Sequence, residues 1–497
     1  MPPPEVDYSD VQGLLRHAYA RLTDACFFLL RVTDVNAARA WLGAAPVNSA
    51  VKKPSDRALQ VAISSTGLRA LRIPEEIVSG FSAEFLSGMA GDESRSRRLG
   101  DIGSSAPANW RWGSAGKVPD LLVMLYSEAQ GLDAWKETVR GQSWNGAFEE
   151  IACLSTTNMD GIEPFGFRDG VSQPKLDWGR TRRPGQEELQ YGNLAAIGEF
   201  LLGYPNEYGK YTDRPLIDAQ RDPRADLLAA EDDPRKHDLG RNGSYLVFRD
   251  LKQDVRRFWQ FLDDQARSDP LARVELAQAM VGRTMAGEPL VPKLIRKIPG
   301  VDENKSPSNQ FTYEGDPDGI KCPFGAHIRR ANPRNGDFPY GTRGFIDRLI
   351  RIFGFGRKTL RDDLLSSTRF HRIVRRGREY GTKLSIEQAL QRVAEDATES
   401  GLRFICLNAN ISRQFEFVQS AWIMATKFDG LSTERDPLLG NRQPIGGCPA
   451  TDTFSLPQAL GVRRRLTRLP EFVTAQGGAY FFLPSLRALR YFASLGK

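Results

Sequence analysis

Short apolar runs recur along this chain, and several lead into stretches whose apolar positions fall three and four residues apart. Residues 24–42, DACFFLLRVTDVNAARAWL, open on a continuous apolar run and continue with Val35, Ala38 and Leu42 on one helical stripe. That pattern predicts a buried strand, a turn that Thr33 or Asp34 can cap, and a helix. Residues 59–64 (LQVAIS) and 121–126 (LLVMLY) read as further strands, and a helix is predicted over 130–140. The second half echoes the first: residues 244–262, SYLVFRDLKQDVRRFWQFL, again give strand, arginine, turn and helix. Arg31 precedes Trp41 by ten residues, as Arg249 precedes Trp259. Residues 402–407 (LRFICL) and a helix over 413–423 (RQFEFVQSAWI) repeat the later part of the first unit. Two strand–helix–strand–strand–helix–strand units, each a sheet with helices on one face, fit this echo. Chance repetition of a common strand–helix pattern is the alternative.

Between the halves, residues 180–242 are rich in Pro, Gly, Asp and Arg, and read as a long connection of short helices and flexible charged loops. His237 falls in that charge run and is expected to be inert. Residues 332–367 form a second irregular region, in which 344–355 (GFIDRLIRIFGF) has the pattern of an amphipathic helix.

Length and composition narrow the class. A chain of 497 residues is too long for one compact core. It is 40% apolar and 26% charged, and its apolar runs are of strand length, so no membrane span is expected. The start, MPPPEVDYSDVQGLLRHAY, has no basic segment followed by an apolar one, which leads to the expectation of a cytoplasmic protein. Five scattered cysteines without a CxxC pair argue against a disulfide framework and a zinc site. The net charge of +7 is modest. The basic clusters at 371–378 and 463–468 suit a solvated face or a carboxylate site better than nucleic acid, since neither an aromatic RNA motif nor a helix-turn-helix accompanies them.

Three stretches can carry chemistry. In KCPFGAHIRRANPR (321–334), His327, one of four histidines in the chain, stands between an apolar lead-in and a basic exit. A neutral imidazole is a common axial ligand to haem iron, and arginines suit its two propionates. A buried structural histidine is the plainer reading. In GIEPFGFRDGVSQP (161–174), glycines flank Asp169 and allow a close backbone approach to a ligand; an ordinary glycine turn is the alternative. In HRIVRRGREYG (371–381), one of Arg375 and Arg376 can point inward while the other faces water.

Together these segments resemble the dye-decolourising peroxidases. The likeness rests on GFRDG (166–170), CPFGAHIRRANPR (322–334) and HRIVRRGREYG (371–381), with NGSYLVFR (242–249), QFEFVQSAW (414–422) and DPLLG (436–440) in the family's order. The resemblance implies an α+β fold of two ferredoxin-like units, with one haem b held mainly by the C-terminal unit. The corresponding division is 1–180 with the aspartate, 181–241 as a charged insertion, and 242–497 with the haem. It implies His327 as proximal ligand to the haem iron, Asp169 and Arg375 as the distal catalytic pair, Arg334 as a propionate partner and Asp436 as acceptor of the histidine's other N–H. It also implies hydrogen peroxide and a bulky dye or phenol as substrates, with Tyr380 relaying electrons from a Gly-flanked turn at the surface. Trp422 is the reserve relay and His371 a structural histidine. The chain departs from the compact members in the 180–242 connection and between Arg334 and Arg375.

The physical roles match the residue types. Peroxide activation needs a carboxylate to move a proton and a guanidinium to stabilise the charge that develops. A haem-binding carrier without turnover is the alternative from another class; it needs His327 but not the Asp169–Arg375 pair. The sequence leaves room for a homo-oligomer.

Overall fold

The computed structural model describes residues 5–182, 193–222, 226–291, 307–309, 311–334, 368–393, 399–444 and 451–495. Its centre is one nine-stranded sheet. In chain order the strands are β1 (Asp24–Val32), β2 (Arg57–Ile63), β3 (Leu121–Ser127), β4 (Phe148–Ser155), β5 (Ser244–Gln253), β6 (Val374–Arg375), β7 (Arg378–Gly381), β8 (Ser400–Asn408) and β9 (Val473–Leu483). Their order in space is β6 and β7 together beside β8, then β5, β9, β2, β3, β1 and β4, and every pairing is antiparallel.

The order divides into two halves of the same plan. From its outer edge inward, β4–β1–β3–β2 places the first half's strands fourth, first, third and second. Counting β6 and β7 as one broken strand, β9–β5–β8–β6/β7 does the same for the second half. This is the ferredoxin-like arrangement that the internal echo anticipates, one copy per half. The halves join where β9 meets β2, through the pair Phe482 and Ile63. Because side chains alternate along strands, the sheet presents two apolar faces. Phe27, Phe248, Ile405 and Phe481 share one cluster drawn from both halves, whereas Phe28, Val61, Val247 and Tyr480 face the other.

The outermost strands do not stay apart. Past the end of β4, the N–H of Thr157 donates to the Glu379 carbonyl in β7 at 2.9 Å. The N–H of Gly381 donates to Thr157 Oγ1 at 3.2 Å. The sheet therefore curls until its two outer edges touch.

The helices follow their caps. Asp34 caps α1 (Val35–Ala44), accepting the Ala37 N–H at 2.7 Å. Helix α2 is Leu132–Arg140, and α3 is Val255–Ala266, capped by Asp254. Helix α4 (Pro270–Val281) begins with proline after the Asp269 cap and stops at Gly282, whose φ of +91° suits glycine.

Three expectations are corrected. The helix expected over 413–423 is π-helical, over Ser412–Glu416 and Val418–Ile423, a wider winding often found at functional sites. The described part of 180–242 is packed rather than flexible: Arg214 pairs with buried Asp238, and Arg180 and Arg241 share Glu231. His237 is not solvated; it lies in a short antiparallel ladder with its Nδ1 2.9 Å from Asp222. The helix expected over 344–355 falls outside the described residues. No described helix is long and apolar enough to cross a membrane.

Candidate active site

A cavity of about 290 Å³ opens between the Asp169 loop after β4, the outer strands β6 and β7, and the π-helical segment. Its walls are largely apolar, with Phe404, Phe415, Trp422 and Leu438 among the contributors.

His327 is the first residue of α5 (His327–Ala331) and its ring lines the cavity. Nδ1 lies 2.8 Å from Oδ2 of Asp436. The other oxygen of Asp436 accepts the N–H groups of Leu438 and Leu439 at 2.9 and 2.8 Å. Burial pushes the Asp436 carboxyl up, but His327 and the backbone donors outweigh it and hold it below the usual range. An ionised Asp436 can only accept, so Nδ1 carries the proton and Nε2 is the basic nitrogen. Burial pulls the imidazole pKa down; the charge and hydrogen bond of Asp436 pull it up further, for a net rise.

Asp169 and Arg375 also line the cavity, and Arg375 Nη1 donates to Asp169 Oδ1 at 2.8 Å. Their side-chain exposures of 36% and 32% are to the cavity. Burial again pushes the carboxyl up, and Arg375 with the Gly170 N–H brings it below the usual range. The glycines around Asp169 shape the turn that carries it. Gly161 and Gly170 have φ of +72° and +73° with open space where a Cβ would stand. Strand alternation turns Arg376 away from Arg375; instead of facing water, it donates to the carbonyls of Leu14 and Leu15 at 2.7 and 3.1 Å.

Four cavity residues escape a reading of the sequence. Gln173 clamps the backbone of Arg375, accepting its N–H at 3.0 Å and donating to its carbonyl at 3.3 Å. Glu163, inside the GIEPFGFRDG segment, is pushed up to about 7 by burial despite hydrogen bonds from Gln253, Phe165 and Phe167. Glu379 stands on β7 facing the cavity. Arg283 follows the Gly282 turn, is 4% exposed, and donates to the carbonyls of Gly287 and Ser308. Burial, then the charge of Arg334, lowers its pKa to about 10. The VGRTMAG turn that ends α4 was the available signal for Arg283.

Arg334 is 2% exposed, lines the cavity, stacks 3.9 Å over Phe311, and bonds Ser172 Oγ at 2.9 Å and the Asn309 carbonyl at 2.8 Å. His371 lines the cavity too, with Nδ1 held by the Arg413 carbonyl and its ring stacked 3.7 Å from Phe417. Trp422 is buried and packs edge-on against His371.

Tyr380 departs from expectation. It is in strand β7 rather than a surface turn, and is 5% exposed. Its flanking glycines permit close strand pairing: a Cβ on Gly381 would stand 1.8 Å from the Glu399 carbonyl oxygen, and one on Gly377 2.7 Å from that of Arg403. Facing away from Glu379, the ring lies over Gly401, its register partner, and under the Arg403 guanidinium at 3.6 Å. Its hydroxyl is 3.4 Å from Glu399, which Arg111 holds in a bidentate pair.

The chain is 30% identical over 405 residues to the multifunctional dye peroxidase DyP2 of an Amycolatopsis species, covering 77% of this chain and 74% of that protein. It is 29% identical over 512 residues to the dye-decolorizing peroxidase msp1 of Mycetinis scorodonius, covering 98% and 87%. A crystal structure of a fungal DyP-type peroxidase from Auricularia auricula-judae superposes with a TM-score of 0.70 at 23% identity, over 99% of this chain and 100% of that one. No family model matches the chain. The chain belongs to the dye-decolorizing peroxidase family. It is accordingly a peroxidase with a haem cofactor, and the carrier reading falls away.

Proposed function

We propose that this chain binds haem b, whose iron His327 would hold, and activates hydrogen peroxide with Asp169 and Arg375. One observation carries the reading. His327 backed by Asp436 and Asp169 paired with Arg375 line the same apolar-walled cavity. The surroundings fit the cofactor: Phe404, Phe415 and Leu438 offer apolar contact for a flat macrocycle. Buried Arg283, which donates to the carbonyls of Gly287 and Ser308, and buried Arg334 offer cations for its two carboxylates. The sequence contains no CxxCH attachment motif, which favours haem b over a covalently attached haem.

When bound, the haem would supply redox-active iron. Asp169, ionised because Arg375 lowers its pKa, accepts a proton from peroxide and returns it to the departing oxygen. Arg375 stabilises the negative charge that develops there. Asp436 accepts the Nδ1–H of His327 and makes Nε2 a stronger electron donor.

The reductants are bulky dyes and phenols, oxidised by one-electron steps. The relatives' names support this class, as does a structure of a dye-decolorizing peroxidase in complex with 2,6-dimethoxyphenol. Tyr380 relays the electron, since its phenol has a carboxylate, Glu399, at hand to take the proton that oxidation releases. The division into 1–180, 181–241 and 242–497 is part of this reading, supported by the strand order of the two halves.

The test is an absorption spectrum of the purified protein before and after one equivalent of hydrogen peroxide, followed by dye turnover. A haem band that shifts with peroxide and returns as dye is consumed is expected. A haem-loaded protein inert to peroxide overturns the roles given to Asp169 and Arg375.

A further inference from the structure

The second cluster of reactive side chains lies on the other half of the sheet, on its outer edge. Strand β4 is an outer strand, and Cys153 on it is exposed, while Cys26 on the adjacent β1 is buried. The register sets Cys26 opposite Ser155 and Phe28 opposite Cys153, so the cysteines are diagonal neighbours on one face. Their sulfurs lie 2.7 Å apart although 127 residues separate them in sequence. A disulfide bond is about 2.0 Å long. The hydrogen bond shared by the two sulfurs lowers the pKa of Cys153, with Lys136 on α2 and Arg140 assisting and burial and Glu150 opposing, and the same bond together with burial raises that of Cys26. The exposed sulfur therefore has the character of an attacking thiolate, and the buried one is placed to resolve it.

We propose that Cys153 and Cys26 form a peroxide-sensitive dithiol that closes into a disulfide and staples outer strand β4 to β1. The Cys153 thiolate attacks one oxygen of hydrogen peroxide and the O–O bond breaks. The leaving hydroxide takes a proton to become water, and the sulfur, oxidised by two electrons, becomes a sulfenic acid. The Cys26 sulfur then attacks the Cys153 sulfur, the S–O bond breaks, and a second water leaves with the Cys26 proton. Two thiols and one peroxide yield one disulfide and two waters. The oxidant is the substrate of the peroxidase reaction, so an enzyme at work meets the reagent that closes the pair. Immediately beyond β4, Thr156 and Thr157 bind Ala25 and Glu379, so the staple secures the strand from which the Asp169 loop departs.

The inference needs peroxide but not the roles assigned to His327, Asp169 or Arg375, and a thiol readout keeps its failure distinct from theirs. The holoenzyme is titrated with hydrogen peroxide, denatured, alkylated and weighed intact, and a non-reducing digest is mapped. The expected result is the loss of two alkylatable thiols per chain, a linkage between the peptides carrying residues 26 and 153, and reversal by dithiothreitol. The Cys153→Ala chain, altered at an exposed position, should keep Cys26 reduced at the same peroxide dose. In Cys26→Ser, Cys153 should gain oxygen instead of a partner. Both thiols still alkylatable after excess peroxide, added oxygen on wild-type Cys153 without a cross-link, or linkage to Cys322, Cys406 or Cys448 would each overturn the proposal.

Discussion

Arg375 Nη1 donates to Asp169 Oδ1 at 2.8 Å across a sequence separation of 206 residues. The pair is made by one arginine of two, and its neighbour supplies the control. Asp169→Asn should slow the spectral change on mixing with peroxide by about 10²–10⁴-fold, the usual contribution of an acid–base group. Arg375→Leu should slow it visibly too. Arg376→Leu should leave it near the wild-type rate and instead destabilise the fold by about 1–3 kcal/mol, since the carbonyls of Leu14 and Leu15 lose their donor. Stopped-flow mixing and urea unfolding of the three variants check this; a crippled Arg376→Leu would reverse the assignment.

His327→Ala should fold and purify with little haem, whereas His371→Ala should retain it. Asp436→Asn should keep the haem but bind it about 10–100-fold more weakly, the usual cost of losing such a partner. Haem content by absorbance and its transfer to an acceptor protein provide the measurement. Normal axial-histidine spectra in His327→Ala would transfer the role to His371.

The pH profile follows from Asp169. Burial raises its pKa and Arg375 more than compensates, so the carboxylate stays ionised below the usual range. The reaction with peroxide should therefore fade only as pH drops through that lowered value. In Arg375→Leu burial acts unopposed by the guanidinium, and the acid limb should move to higher pH. A limb that stays in place when the rate is profiled would contradict the coupling.

Glu163 gives the opposite sign. Its pKa rises from 4.5 to about 7 on burial, so the folded chain holds more protons than the unfolded one in that window. Its contribution to stability is therefore lost as pH rises from the unfolded to the folded value. Glu163→Gln should flatten this slope by on the order of 1–3 kcal/mol. Urea unfolding at the two ends of the window reads it directly.

Tyr380→Phe keeps the ring under Arg403 but removes the hydroxyl that meets Glu399. Turnover of a bulky dye should fall while the peroxide reaction and the oxidation of a small phenol persist. Equal retention of both activities removes Tyr380 from the relay and directs the search to Trp422.

Much of this was legible locally. The strands at 24–32 and 244–253 announce themselves as apolar runs, and Asp34 caps the helix that the pattern assigns to it. His327 is visible because few histidines compete. What could not be read was non-local. Tyr380 looked like a turn residue because its glycines resemble turn glycines; only strand pairing shows that they make room for β8. The charged connection looked solvated because the partners of Arg214 and Arg180 lie 24 and 51 residues further on. Arg283 sits where a helix ends, a place that ordinarily needs no other explanation.

The contact of Thr157 with Glu379 and Gly381, where the outer edges of the sheet meet, has a consequence for thermal inactivation. Asp169 is carried by the chain leaving one edge, and Arg375 by the strand at the other. Edges open more readily than the middle of a sheet, as local opening spans a range of free energies below the global one. Warming should therefore part Asp169 from Arg375 while β1, β5 and β9 still hold the core together. The enzyme would then lose its reaction with peroxide at a temperature where its circular dichroism is still that of the native fold, and regain it on cooling.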